Sequence, residues 1–409
     1  MALFAGVGRS LGQTAAVAGR DAAELALTEL REKTDQPASL AIVFASVKYD
    51  QQEIVDAVRQ ATDGIPLVGC STSGEITQTG PSNEAVVVML LSSPETCFAL
   101  GKSQAPVAAG DTDAGRTFAE SIQNSDCFAG KPDSLASAIM LSDALSGNGA
   151  EIVRGALSVF GENFLLLGGA AGDDQRYEKV YQYVGDEVVE SSVTGFGMDE
   201  TITVGVGVRH GWETVGLPMR VTRSSGATIH ELDGRPAIEV YKQYFGEEQT
   251  AKLLQEGTVF TRAQVLAYPF GLTTPDGEEV LIRSAYSLED SGSITCAAEI
   301  PQGSEVHMMI GSKEKAIAAA ADAAEKALEG LEGREAKAVI IFNCVARQNL
   351  LGEDVGEELQ AIRKVLGHEV PIAGFYTYSE QAPVYGKTRN IKQCETSFHN
   401  QTVVICALG

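Results

Sequence analysis

The chain has 409 residues, 44% of them apolar, and its 31 basic and 55 acidic side chains give a net charge of −24. That length exceeds one ordinary domain, and the apolar share is enough for a sizeable core. So acidic a surface repels nucleic acid and anionic membrane, which argues against both as partners. No run reaches the roughly 18 continuous apolar residues of a membrane span. The opening "MALFAGVGRSLGQ" has no basic stretch leading into an apolar one, so a cytoplasmic location is expected. Seven scattered cysteines without a C-x-x-C pair read as reduced thiols, with neither a disulfide frame nor a zinc site.

In chain order, one plan recurs three times. The first copy is "DAAELALTEL" (21–30), "SLAIVFAS" (39–46), "QEIVDAVRQAT" (52–62) and "IPLVGCSTSGEI" (65–76). The second is "DAGRTFAESI" (113–122), "SLASAIMLS" (134–142), "EIVRGALSVF" (151–160) and "FLLLGGAAGDD" (164–174). Then comes a different texture. "KVYQYVGDEVVESSVTGFGMDETITVGVGVRHGWETVG" (179–216) alternates and carries turn signals, which predicts antiparallel strands. "ELDGRPAIEVYKQYFG" (231–246) predicts a helix opened near Pro236 and closed by Gly246, and "EVLIRSAYSLEDSGSITCAAEI" (279–300) predicts more strands. The third copy is "KEKAIAAAADAAEKALEGL" (313–331), "AKAVIIFNC" (336–344), "EELQAIRKVL" (357–366) and "VPIAGFYTYSE" (370–380).

Each copy reads as helix, buried strand, helix, buried strand. The strand assignments rest on short runs rich in Val, Ile and Phe, and the helices on apolar spacing such as Ile54, Val55 and Val58. A short apolar segment precedes each copy: "ALFAGVG", "TCFALGKS" and "VHMMIGSK". Two apolar strands flanking a helix imply a parallel pair covered by helices. The expected class is therefore α/β: repeated strand–helix–strand units with parallel sheet cores plus added antiparallel strands, in two halves, 1–216 with two units and 217–409 with one. Parallel sheets hold ligands at the carboxyl ends of their strands. The equivalent turns opened by Gly69, Gly168 and Gly374 are thus candidates to build a site, unless the glycines only permit tight strand exits.

Several linked stretches, in order along nearly the whole chain, resemble one family. "GCSTSGEI" resembles the signature of the N-terminal FIST domain. "HGWETVGLPMRVTRSSGATIHELDGRPAIEVYKQYFG" resembles the junction into the C-terminal FIST domain, and "FNCVARQNLLG", "PIAGFYTYSEQAPVYG" and "FHNQTVVICAL" resemble its core and end. The resemblance implies a sensory module for a small ligand, amino acids among those suggested, in bacterial signalling. It implies an output through a separate partner such as a histidine kinase, since no kinase, methyl-accepting or cyclase motif is seen. Some members of the family bind haem and sense nitric oxide, so haem is carried as an alternative cofactor, with His399 as the axial candidate; the cofactor is otherwise unknown. Where family patterns have Gly-Glu-Ile after the Tyr of the C-terminal turn, this chain has Ser379-Glu380-Gln381.

Candidate ligand-binding residues follow from both readings. Cys70, Ser71 and Ser73 offer small polar groups, or pack the turn and bond its backbone; Glu75 and Glu380 place an acid in two equivalent turns, as an amine or cation would require, or are solvated or bonded to turn amides. Tyr376 and Tyr378 would point to one side of a strand-like exit, each with an apolar face and a polar tip that suit a small pocket, or are core tyrosines with satisfied hydroxyls. Arg347 could hold a carboxylate by two bonds or serve as the structural partner of an acid. Asn343 and Asp143 sit at comparable strand exits, as ligand-orienting groups or turn caps. "GCSTSG" departs from the G-x-S-x-G elbow because Ser73 replaces its second Gly, and no base lies nearby in sequence, so no catalytic residue and no enzyme are expected. A Cys70- or Ser71-dependent enzyme is the rival reading. No metal site is expected, and "GVGRSLG" lacks the spacing of a phosphate loop.

Overall fold

The computed structural model describes residues 3–104, 106–107, 112–248, 250–251, 268–273, 280–289, 291–384 and 396–409. The first unit runs β1 (Phe4–Ser10), α1 (Ala15–Lys33), β2 (Leu40–Ser46), α2 (Gln51–Ala61), β3 (Leu67–Thr72), β4 (Glu75–Thr77), β5 (Gly80–Ser82) and β6 (Val86–Ser92). The second repeats it as β7 (Phe98–Lys102), α3 (Asp113–Gln123), β8 (Leu135–Ser142), α4 (Gly149–Phe160), β9 (Leu165–Ala170), β10 (Gln182–Val184), β11 (Glu187–Val189) and β12 (Thr194–Asp199). The third opens with β13 (Val204–Arg209) and is then interrupted. The interruption contains β14 (Trp212–Ser225), β15 (Thr228–Leu232), β16 (Arg235–Pro236), α5 (Ile238–Phe245), β17 (Phe270–Thr273), β18 (Val280–Arg283), β19 (Ala285–Leu288), β20 (Ile294–Cys296) and β21 (Glu305–Gly311). The unit resumes with α6 (Lys313–Gly330), β22 (Ala338–Cys344), α7 (Val345–Leu351), α8 (Val355–Leu366), β23 (Ile372–Thr377), β24 (Glu380–Pro383), β25 (Thr396–His399) and β26 (Val403–Leu408).

Local chemistry marks the helix starts. The side chains of Thr14, Asp50, Asn148 and Ser312 accept the N–H of Val17, Glu53, Ala150 and Lys315, capping α1, α2, α4 and α6. The strands β2, β6 and β22 are buried along their full length, which is why they read as unbroken apolar runs. The pairs β2/β3, β8/β9 and β22/β23 are parallel, as the helix between them requires.

The three sheets share one order: β1-β6-β2-β3-β10-β11, β7-β12-β8-β9-β24-β25 and β13-β26-β22-β23-β4-β5. The last two strands of every sheet come from another unit. After its second parallel strand each unit leaves its own sheet, adds two strands to a neighbour's, and returns. The first unit gives to the third, the third to the second and the second to the first, so the exchange closes into a ring. The inner faces meet in a common core in which the Phe375 ring packs on those of Phe44 and Phe342, with centroids 4.7 and 5.9 Å apart. Helices α1 and α2 cover the first sheet, and α3 and α4 the second.

Three details differ from expectation. "VHMMIGSK" is not the third unit's leading strand. It forms β21, which pairs with β14 and β17 inside the interruption, and β13 leads the unit instead by pairing with β26. The unit's first strand therefore lies upstream of residue 217. Gly69, Gly168 and Gly374 lie within β3, β9 and β23 and open no turns. A Cβ there would come within 1.9, 1.8 and 2.3 Å of the carbonyl oxygens of Val43, Met140 and Ile341 on the parallel neighbour, so only Gly permits that approach. Finally, Cys97 and Cys127 form a disulfide, which corrects their reading as thiols; such bonds are rare in the cytosol. Cys70, Cys296, Cys344 and Cys406 are free and buried, and Cys394 lies outside the described residues.

Candidate functional site

The stretch from Gly69 to Ile76 is an interlock between units. Thr72-Ser73-Gly74-Glu75 and Thr377-Tyr378-Ser379-Glu380 are equivalent corners, each leading from a parallel strand into the exported one. In the first, Thr72 Oγ1 donates to Glu75 Oε1 at 2.5 Å and the N–H of Ala85 donates to Oε2 at 3.0 Å. In the second, Thr377 Oγ1 donates to Glu380 Oε1, while the N–H and Oγ1 of Thr402 donate to Oε2 at 3.2 and 2.6 Å. Both acids therefore tie the outgoing corner to the start of the returning strand. Asp173 closes the corner after β9, where its oxygens accept the N–H groups of Tyr177, Glu178 and Lys179. All three are buried. Burial pushes Glu75 up to about 8 and Glu380 up to about 7, against the pull of those donors.

The other predicted residues are distributed as follows. Cys70 packs in the common core, where burial raises its thiol. Ser71 bonds across the seam between units, donating to the Gly172 carbonyl at 2.7 Å and accepting the Tyr181 N–H at 2.9 Å. Ser73 accepts the Gln175 N–H, and its own N–H donates to the Tyr376 carbonyl. Arg347 is buried and grips Glu358 through Nε and Nη2, at 2.9 and 2.6 Å, while also donating to the carbonyls of His210 and Ala316. Asn343 donates to the same Glu358, and Asp143 accepts the N–H groups of Leu145 and Ser146 as a turn cap. Tyr376 is buried beside the Arg347–Glu358 pair. His399 faces the Ala382 carbonyl through Nε2 at 3.0 Å, and burial lowers it to about 4. Among the described residues no group of three or more His, Cys, Asp or Glu is placed to hold a metal ion.

Tyr378 has a different setting. Its hydroxyl donates to Asp173, and its ring stacks on Tyr177 with centroids 4.6 Å apart and planes 16° apart. This pair forms one wall of a cavity of about 430 Å³. The carboxyl end of β22 (Cys344 to Ala346), the corner residue Ser379, the segments 144–148 and 295–299, Phe398 and Asn400 also line it. The cavity thus lies at the strand ends of the second and third units and is roofed by the interruption. Of the predicted site residues, Tyr378 lines it; Cys70, Ser71, Ser73, Glu75, Arg347, Tyr376 and Glu380 do not. Repeat logic could have found Cys344, because it ends its strand as Ser46 and Ser142 end theirs. The residues of 295–299 gave no signal, since nothing in the repeat anticipates the interruption.

The FIST N domain profile matches residues 39–235 and the FIST C domain profile matches 237–383. The chain belongs to the FIST family. FIST domains are sensory domains, which implies ligand binding in signalling. An uncharacterized protein of Methanocaldococcus jannaschii is 33% identical over 86 residues, a match that spans 20% of this chain and 16% of that protein. Among solved structures, a chorismatase aligns with 100% of this FIST chain and 98% of its own at 10% identity, with a TM-score of 0.34. The cyanuric acid hydrolase of A. caulinodans covers 99% of both chains at 10% identity, with a TM-score of 0.37. Scores this low transfer no activity. Among the described residues no helix is long and apolar enough to cross a membrane.

Proposed function

We propose that this FIST protein is a sensor that binds a small ligand in the cavity between its second unit, third unit and interruption, and passes the signal to a separate partner such as a histidine kinase. The observation that carries this reading is the cavity itself. It sits at the carboxyl ends of strands, where α/β sheets place ligands, and residues of the second unit, the third unit and the interruption meet around it. A ligand there touches all three, so occupancy can change how they fit together. Binding without turnover is favoured because Cys70 is in the core and Ser71 is spent on backbone groups.

Native mass spectrometry of freshly purified protein, compared with Ala297→Phe, tests the reading. Ala297 lines the cavity and is only partly buried, so a phenyl ring there fills space without entering the core. The expected result is a bound small molecule on the wild type and none on the variant, with similar melting curves. Equal loading of both would place the ligand elsewhere.

A further inference from the structure

The turn between β9 and β10 is held in a strained conformation. Asp174, Gln175 and Tyr177 have φ of 54°, 61° and 56°, in the left-handed region. Asp tolerates that region, but a long Gln and a bulky Tyr resist it. Asp173 holds them there. It is buried, and its oxygens accept the N–H groups of Tyr177, Glu178 and Lys179 at 2.9, 2.7 and 2.8 Å. One more donor reaches it from outside the turn, the hydroxyl of Tyr378. A strained segment fixed by one side chain has two positions: weaken the hold and the strain favours release.

Residues of this turn line two different cavities. Tyr177, stacked on Tyr378, lines the one described above. Arg176, Glu178 and Lys179, all exposed, line a second of about 560 Å³, together with Val47 and residues 49–52 at the start of α2. A chain of hydrogen bonds with one covalent step joins the two. Tyr378 donates to Asp173; the next residue, Asp174, accepts Ser46 Oγ through Oδ2 at 2.7 Å, and Ser46 Oγ accepts the Lys48 N–H at 3.0 Å. Ser46 ends β2, so the last link fixes the segment that leads into the second cavity. The Gln51 amide braces the same segment by donating to the carbonyls of Ser46 and Tyr49, at 3.1 and 2.6 Å.

We infer that the turn from Asp173 to Lys179 is a relay between the two cavities. An occupant of the first that moves Tyr378 or Tyr177 loosens the hold of Asp173. Release of the turn then reshapes the second cavity, whose exposed charged side chains let a partner read the change. The relay extends the reading of the first cavity as the sensor site, but it is a property of the chain and needs no ligand to show itself. Coupling of this kind is reciprocal, so a change at Ser46 must also be felt at Tyr177.

Hydrogen–deuterium exchange of the full chain, read on peptides covering 173–181 and 46–50, tests it. Tyr378→Phe keeps the stacked ring and removes only the hydroxyl. The N–H groups of Tyr177, Glu178 and Lys179 should then exchange about tenfold faster or more, the size of one hydrogen bond to a carboxylate. That of Lys48 should speed up by the same factor, because one opening exposes all four. Ser46→Ala, at the other end of the chain of bonds, should in turn speed exchange at 177–179. In both variants β26, in the common core, should exchange as in the wild type. Faster exchange at 177–179 in Tyr378→Phe with Lys48 unchanged would make the turn a local flap and overturn the relay. Unchanged rates at 177–179 in either variant would overturn it too, as would a matching rise in β26, which means general loosening. Failure of the ligand-site reading through Ala297→Phe leaves these rates untouched, so the two ideas fail separately.

Discussion

Glu75 and Glu380 show how a residue can be located correctly by a repeat and still do something the repeat does not state. Their position, three residues after a Thr at the end of an apolar strand, was visible in sequence. Their partners were not, because Ala85 and Thr402 lead into returning strands that local pattern does not connect to the corner. The consequence is a pH dependence of unusual sign. Both acids have folded values above the ordinary 4.5, at about 8 and about 7, so the folded state holds protons that the unfolded chain releases. Their contribution is fully present below about 4.5 and is lost as pH rises through about 7 and 8. His210 and His399, both lowered to about 4 by burial, act in the opposite direction: their contribution is present above the ordinary 6.5 and is lost as pH falls through about 4. The melting temperature should therefore decline from about pH 6 to about pH 9, by the equivalent of on the order of 1–3 kcal/mol per acid. Glu75→Gln with Glu380→Gln, neutral at every pH, should flatten that decline. A slope identical in wild type and double variant would mean that other groups set it.

At the scale of elements, helix packing explains the glycines that composition alone left open. β1 reads Phe-Ala-Gly-Val-Gly and β13 reads Val-Gly-Val-Gly-Val, and each lies under an alanine-rich helix. A Cβ on Gly6 or Gly8 would come within 2.2 or 1.9 Å of carbonyl oxygens of α1, those of Ala26 and Ala22. On Gly205 or Gly207 it would come within 2.0 or 1.7 Å of those of Ala327 and Ala323 in α6. The glycines that superficially suggested a phosphate loop are thus the floor of a close helix–strand contact. The matching Gly-Val-Gly pattern was the legible sign that β13 leads the third unit. It was missed because the interruption separates β13 from its helix, while "VHMMIGSK" stands immediately before that helix. Gly207→Ala should destabilise by about 1–3 kcal/mol or more through overpacking, read as a fall in the urea midpoint at unchanged slope. Gly356→Ala, early in α8 with nothing near the added methyl, is the control and should be neutral or slightly stabilising. Equal effects at the two sites would remove packing as the reason for Gly at 207.

At the scale of the whole molecule, the ring of exchanged strands decides what can be removed. None of the three sheets is complete without strands from another unit, so the units should not fold separately and the core should unfold in one transition. The interruption stands outside this ring. It enters at Trp212 and leaves at Gly311, and those residues are paired across β14 and β21, so their Cα atoms are about 4.5–5.5 Å apart. Its main sheet contains no strand of the three units. Replacing residues 213–310 by a short Gly-Ser linker should therefore leave a core with a cooperative melt. Some stability will be lost: Ala298 leaves the buried cluster that holds Phe398, Ile282 and Met309 leave the one that holds Trp212, Arg283 no longer donates to the Phe398 carbonyl, and the Arg154–Glu299 pair disappears. The exposed ion pair contributes little, so uncovering Phe398 and Trp212 should dominate the loss. The same excision removes the cavity's roof, including Ser284, Tyr286 and Thr295 to Glu299, while Ser379 and Asn400 stay on the core. Ligand binding should then vanish even though the part of the cavity wall contributed by the core remains. Circular dichroism with thermal melting, followed by calorimetry, separates the outcomes. A truncated chain without a cooperative melt would show that the interruption is needed to fold the ring. A folded one that still binds would move the site away from the roof and into the three units alone.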